Sequence, residues 1–224
     1  MTRIPRKYDD DMRELLPVGM PLQYGRALAW RESSMDAREK TGGHWGLFQI
    51  GKVALDDINK FRSGRPWTLP EMLLARPNIE GFGIYYTNVI SKVFDLIIAR
   101  AEAVGKGHLV RDFARDWKNP NYVLLVTMAW NSGPGVVRRA AERSVGAGKK
   151  ANYTNVIRNA RRLGSAGDRR KATGSREVWQ RSVLAVYRDE VKTSHPLATA
   201  PKPKGKGGLG WLVIAALVLM SFKN

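Results

Sequence analysis

The amino-acid sequence predicts a mainly α fold: a helical domain with a small β-hairpin or turn region, followed by a C-terminal hydrophobic helix. Three observations carry that expectation. Apolar residues recur at three- and four-residue steps through most of residues 12–192, the period of helices that bury one face. From Lys40 to Lys52 the chain reads KTGGHWGLFQIGK, in which glycines punctuate alternating bulky residues, a pattern of turns around a short strand or hairpin. From Leu209 to Phe222 no charge interrupts an apolar run.

Residues 1–19 contain basic residues with no apolar run behind them, so they read as an N-terminal extension and not as a secretory signal peptide. Pro21 then opens LQYGRALAWRE, whose spacing predicts a short helix ending near Ser33. The longest helical pattern runs from Asn78 to Val104, where Ile79, Phe82, Tyr86, Val89, Ile90, Val93, Phe94 and Ile97 mark the central helix. Asn119 puts a capping residue ahead of Pro120 at the first helical position, and the apolar pattern beyond it stops at Asn131-Ser132-Gly133-Pro134-Gly135. Further helices are expected over Val136–Val145, Tyr153–Leu163 and Arg176–Val191. Residues 20–192 thus form one domain, and the Pro, Lys and Gly of residues 193–208 make a linker. Residues 209–222 would extend roughly 21 Å as a helix, short of the ~20 residues that span a bilayer. Lys204, Lys206 and Lys223 flank that run and Trp211 sits at its edge, so it reads as a membrane segment, with a buried helix or an interfacial anchor as the alternative.

Composition bounds the chemistry. The chain has 224 residues with no cysteine, which excludes disulfides, thiolate metal sites and cysteine nucleophiles. Three scattered histidines leave little for a histidine metal site, so neither metal nor cofactor is expected. A net charge of +18 predicts an anionic partner: nucleic acid, a membrane surface or a cell-wall polymer. The excess concentrates in residues 138–181, with 13 Lys or Arg against three acids. That stretch could track a phosphate backbone, but only Tyr153 and Trp179 interleave it with aromatic rings, so nucleic acid ranks below wall and membrane.

Among the carboxylates Glu32 stands out, because it closes the apolar run Ala27-Leu28-Ala29-Trp30. Partial desolvation there would keep it protonated near neutral pH, as a general acid requires. A surface pairing with Arg31 or Arg26 is the alternative. Glu32-Ser33 is succeeded by Gly46-Leu47-Phe48-Gln49-Ile50, then Asn78-Ile79 with Gly83 and Tyr86, then Ala129-Trp130-Asn131-Ser132-Gly133-Pro134-Gly135. In this order the motifs resemble the catalytic domain of soluble lytic transglycosylases, goose-type-lysozyme-like enzymes that cleave peptidoglycan, over roughly residues 20–190. Phe48 stands where that family usually has methionine and Trp130 where it has tyrosine, and both keep an apolar or aromatic wall. The family's closing Glu-Thr-Arg-X-Tyr run appears only as Ser175-Arg176-Glu177-Val178-Trp179, which leaves Trp179 without an assigned role.

The resemblance implies a lysozyme-like α+β fold and a single carboxyl, Glu32, that protonates the leaving oxygen. It then acts as base on the 6-hydroxyl of the muramic sugar, giving a 1,6-anhydro product. It further implies that Ser33, Gln49, Tyr86 and Asn131 bind substrate, with Tyr85 as a second candidate phenol. Alternatives stay open at this point. Gln49 could satisfy backbone groups of its own turn, and Asn131 could cap a helix. Asp36, Asp56 or Asp57 could position a water, which would make the enzyme a hydrolase of lysozyme type, acting at host lysis. A noncatalytic basic protein that binds nucleic acid or membrane is the third reading. A wall-cleaving enzyme without a signal peptide and with a C-terminal anchor is best placed in a virus particle. The expected setting is therefore a bacteriophage virion, anchored through the C-terminus beside other virion proteins, opening the host wall during genome entry.

Overall fold

Nine helices and three short strands succeed one another among the described residues of this computed structural model, which are residues 3–163 and 174–194. Most of the predicted linker and the predicted membrane segment 209–222 lie outside them. The chain is mainly helical, as the sequence predicts, and its one sheet among the described residues is small and antiparallel.

Within the N-terminal extension, α1 (Asp9–Leu15) places Asp9, Asp10 and Asp11 in its first turn, where the helix dipole favours negative charge. Its Met12 is fully buried against the domain. Pro21 sets the extended entry to α2 (Leu22–Ser33). That helix stops where Ser34 and Met35 turn left-handed, at φ 54° and 64°. Strands β1 (Lys40–Thr41), β2 (His44–Trp45) and β3 (Ile50–Gly51) form the sheet in that order. Gly42 and Gly43, at φ 58° and 84°, make the two-residue turn between β1 and β2, a geometry that costs side-chain-bearing residues more.

Next come α3 (Lys52–Phe61) and a 3-10 turn at Leu69–Leu73, which Thr68 and Glu71 cap reciprocally. The predicted central helix is one run of three parts: α4 (Ala75–Tyr85), a π turn at Tyr86–Ile90, and α5 (Ser91–Ala103). The π turn is a departure from the regular period that the apolar spacing suggested. Ala75–Ala103 is also long and apolar enough to cross a membrane by length and composition alone. Its Ile79, Phe82, Ile90, Phe94 and Ile97 are nonetheless buried in the protein core.

Asn119 caps α6 (Pro120–Ser132) as its spacing predicted, its side chain accepting from the N–H of Asn121 at 2.9 Å. Gly133, at φ 89°, separates α6 from α7 (Pro134–Gly146). The helix expected to reach Leu163 is α8 (Tyr153–Ala160), after which residues 161–163 turn. The last helix among the described residues, α9 (Gly174–Ser194), packs on both α2 and α6.

Two buried polar links tie these helices together. Tyr24 of α2 meets Thr127 of α6 at 3.2 Å, and because Thr127 already donates to the Val123 carbonyl, Tyr24 is the donor. Arg26, only 2% exposed, holds both carboxylate oxygens of Asp9 on α1 and, at 3.0 Å, Glu190 on α9. Each charge of this triad has lost its water and depends on the others.

Candidate active site

Glu32 occupies the last turn of α2, and the aromatic residues of α4 and α6 decide its environment. Phe48 stacks on Phe82 at 4.2 Å between ring centres. Phe82 and Tyr85 each meet the ring of Trp130 edge-on, at 5.0 and 5.5 Å. Held in this way, Trp130 points its indole N–H at Glu32 and donates to Oε1 at 2.9 Å. Burial pushes the Glu32 carboxyl up to about 8, against the opposing effect of the Trp130 hydrogen bond. Glu32 is therefore protonated at neutral pH. Arg26 is committed to Asp9 and Glu190, and neither it nor Arg31 acts on Glu32, so the surface pairing is not formed.

Among the described residues, no second carboxylate acts on Glu32, although Asp57 is near enough to the cleft to act on the Tyr85 phenol. Of the three candidates in the sequence, Asp36 accepts from the N–H of Arg38, Asp56 pairs with Lys52, and Asp57 pairs with Lys60. The two influences on Glu32 are its desolvation and Trp130, with no charged neighbour contributing.

The loop that carries Gln49 is built around Asn78, a fully buried amide whose every polar position is used. Its Oδ1 accepts from Phe48 N–H at 2.8 Å, and its Nδ2 donates to the carbonyls of Trp45 and Met72, each at 2.9 Å. Gly46 lies so close to this amide that a Cβ there would sit 1.9 Å from the Met72 carbonyl oxygen and 2.4 Å from Asn78 Nδ2. Its φ of 79° asks for glycine as well. The spacing from the Gly46 turn to Asn78 thus reflects a loop pinned by a single side chain.

Gln49 is the residue this pinning presents. It takes a left-handed backbone at φ 52°, uncommon for a side chain of its size. Its Nε2 donates to the carbonyls of Glu39 and Gly46, at 3.2 and 2.9 Å. The amide nitrogen thus satisfies the turn, as one sequence reading allowed, and leaves the amide oxygen to the cleft. That cleft has a volume of about 360 Å³ and is lined by Gln49, His44, Lys52, Val53, Tyr85 and Trp130, among others.

The remaining sequence candidates divide. Tyr86 is in the core, 1% exposed, with its hydroxyl 2.6 Å from that of Tyr122. The cleft-lining tyrosine is its neighbour Tyr85. Ser33 is buried and its hydroxyl donates to the Ala29 carbonyl one turn back at 3.0 Å, so it stabilises the end of α2. Asn131 ends α6 next to Trp130, and its Oδ1 is buried without a hydrogen-bond donor. That oxygen is enclosed, and Asn131 is not among the residues that line the cleft. Trp179, left without a role by sequence, reaches from α9 to the carbonyl of Arg31 at 3.4 Å, beside Glu32. Trp130 was legible only as an aromatic substitution, and no local signal reveals a hydrogen bond to a residue 98 positions away.

The arrangement is suited to proton donation: one protonated carboxyl bonded to the indole of Trp130, whose ring, with Tyr85 and Gln49, lines the adjoining cleft. Among the described residues, no cluster of His, Asp or Glu could hold a metal ion. No protein-family model, no curated protein and no solved structure matches the chain.

Proposed function

We propose that this protein is a peptidoglycan lytic transglycosylase with a lysozyme-like fold, and that Glu32 is its acid and then its base. The observation that carries the reading is the isolated, desolvated Glu32 carboxyl with Trp130 on its Oε1. A protonated carboxyl at neutral pH can give its proton to the glycosidic oxygen between the muramic sugar and the next glucosamine. The C1–O bond breaks with that transfer, and the glucosamine leaves as its 4-hydroxyl. The substrate's own acetamido group stabilises the cationic C1. The Glu32 carboxylate then takes the proton of the 6-hydroxyl, whose oxygen bonds to C1 and closes the 1,6-anhydro ring. The proton returns to Glu32, and no water enters. Among the described residues no carboxylate bonds to Glu32 or contributes to its shift, and that supports this route over hydrolysis, which usually employs two.

Gln49 offers its amide oxygen and Tyr85 its phenol to the sugar, Trp130 fixes the carboxyl, and the enclosed Asn131 oxygen would reach substrate only after the end of α6 shifts. The setting proposed for this activity is a bacteriophage particle, anchored through residues 209–222, that opens the host wall locally during genome entry.

The decisive test is mass spectrometry of the sugars released from purified murein by the unaltered protein and by Glu32→Gln. Anhydromuramyl ends that vanish in the variant are expected. Reducing muramyl ends would establish hydrolysis instead, and no released sugar from the unaltered protein would reject catalysis.

A further inference from the structure

Between residues 134 and 163 the chain carries eight Lys or Arg and a single acid, Glu142. That acid is neutralised by Arg100 of α5 at 2.5 Å. On α9 the acid nearest this region, Glu177, is shared by Arg161 and Arg181, at 2.5 and 2.9 Å. The interior of the α7–α8 pair makes no use of the positive charge. Val137, Ala140, Ala141, Val156 and Ile157 form its buried seam, and Asn159 donates to Ser144 Oγ at 2.8 Å. Arg139, Arg143, Lys149, Lys150, Arg158 and Arg162 are all exposed. The surface of α7 and α8 is therefore one sign of charge with its local acids already engaged.

One end of this surface, the start of α7 and the end of α8, lies close to the cleft. α7 begins at Pro134, four positions after Trp130, and Trp179 holds the first half of α9 against the Arg31 carbonyl beside Glu32. Two buried polar groups without partners sit on either side of this junction: Oδ1 of Asn131 and Nε of Arg138. The basic surface adjoins the cleft end of α9. The C-terminal end of α9, at Ser194, is 15 residues beyond Trp179, roughly 22 Å along the helix axis. Of the cations, Arg139, Arg158 and Arg162 are at the cleft-side ends of α7 and α8, where a polymer leaving the cleft would meet them first, and Arg143, Lys149 and Lys150 extend the same charge away from it.

We propose that the α7–α8 surface is a second binding surface of the enzyme, which holds the carboxylate-bearing peptide side chains of the same glycan strand whose backbone lies in the Glu32 cleft. The inference rests on the reading of that cleft as a glycan site. Six of the eight cations are arginine, whose planar guanidinium matches a carboxylate in two hydrogen bonds. Individually such exposed contacts are weak. On a strand already seated in the cleft each becomes an intramolecular event, so their effects accumulate. Tyr153, the aromatic residue of α8, is 1% exposed, so the surface offers no ring for stacking bases.

The test uses the full chain in the Glu32→Gln background, so that binding is measured without cleavage. The protein is sedimented with purified peptidoglycan, with the same glycan stripped of its peptides by an amidase, with duplex DNA and with anionic phospholipid vesicles. A second protein additionally carries Arg139, Arg143, Lys149, Lys150, Arg158 and Arg162 all changed to Gln, with its fold checked by thermal melting. The expected result is a preference of about tenfold or more for peptide-bearing over stripped glycan at about 50 mM salt, which collapses as salt rises. The sixfold variant should lose that preference and bind stripped glycan as before. Equal binding of both glycans by the protein with its basic surface intact would overturn the proposal. So would a sixfold variant that weakens only on DNA or only on vesicles. Product release by the unaltered protein is measured separately. Its absence, with the peptide preference intact, would reject the catalytic reading and leave the basic surface standing.

Discussion

The indole N–H of Trp130 donates to Oε1 of Glu32 at 2.9 Å and so joins the end of α6 to the end of α2. This bond stabilises the ionised carboxyl, and burial disfavours it more strongly. With the carboxyl at about 8, cleavage that needs the protonated form should hold through neutral pH and fall as pH rises past that value. Trp130→Phe retains the contacts with Phe82 and Tyr85 but removes the donor. The alkaline limb of kcat/KM should then move upward by about one unit, accompanied by a lower kcat. A pH–rate profile of both proteins checks this, and a downward shift would refute the assigned direction.

Glu32 should also cost stability. In the unfolded chain its carboxyl ionises near 4.5, and in the folded protein it stays protonated until about 8. Its contribution is therefore most favourable below the lower value and is lost progressively as pH rises to the upper one. Glu32→Gln removes the ionisable group. Relative to the unaltered protein, it should gain stability between those two values, on the order of a few kcal/mol by the upper end, while losing activity. Denaturant melts at several pH values measure the gain.

Asn131 separates binding from folding. Its Oδ1 is buried with nothing to accept from, so Asn131→Ala removes an unsatisfied group and should leave the melting temperature unchanged or slightly raised. If the group meets substrate, kcat/KM should fall by about tenfold or more over the same substitution. A large drop in melting temperature would instead assign Asn131 to the fold.

Gly46→Ala meets two obstacles at once: a positive φ, and backbone and side-chain atoms within 2.4 Å of the added Cβ. The loop must move away from Asn78, breaking hydrogen bonds to Phe48, Trp45 and Met72. A loss of about 3 kcal/mol or more is expected, with Gln49 displaced from the cleft. Melting temperature and residual murein cleavage report the two effects.

Legibility in the sequence tracks the range of the forces involved. Asn119 before Pro120, the paired glycines after Thr41 and the apolar period around Ile79 act over a few residues, and each appears as predicted. The desolvation of Glu32 was legible because its own segment is apolar. Contacts between distant segments were not. Asn78 reads locally as the start of a helix, yet its amide organises a loop some thirty positions earlier. Tyr85 and Tyr86 are adjacent tyrosines in a helical pattern, and only the packing of Trp130 on one and Tyr122 on the other tells cleft from core. The π turn at Tyr86–Ile90 shifts the helical phase between α4 and α5, which a constant period cannot show. Ser33 beside Glu32 suggested a sugar ligand, whereas its hydroxyl closes a bond to the preceding turn.

The Arg26 triad has a mechanical consequence. Because one guanidinium holds α1 and α9, the first and last of the described helices, neither can fray alone without stranding a dehydrated charge. The described chain closes on itself like a clasped ring, and α2, which bears both the clasp and Glu32, is its common segment. Tension applied along α9 would reach the clasp at Glu190 before it reached Trp179. The aromatic frame around the carboxyl is thereby shielded from pulling at the C-terminal side of α9.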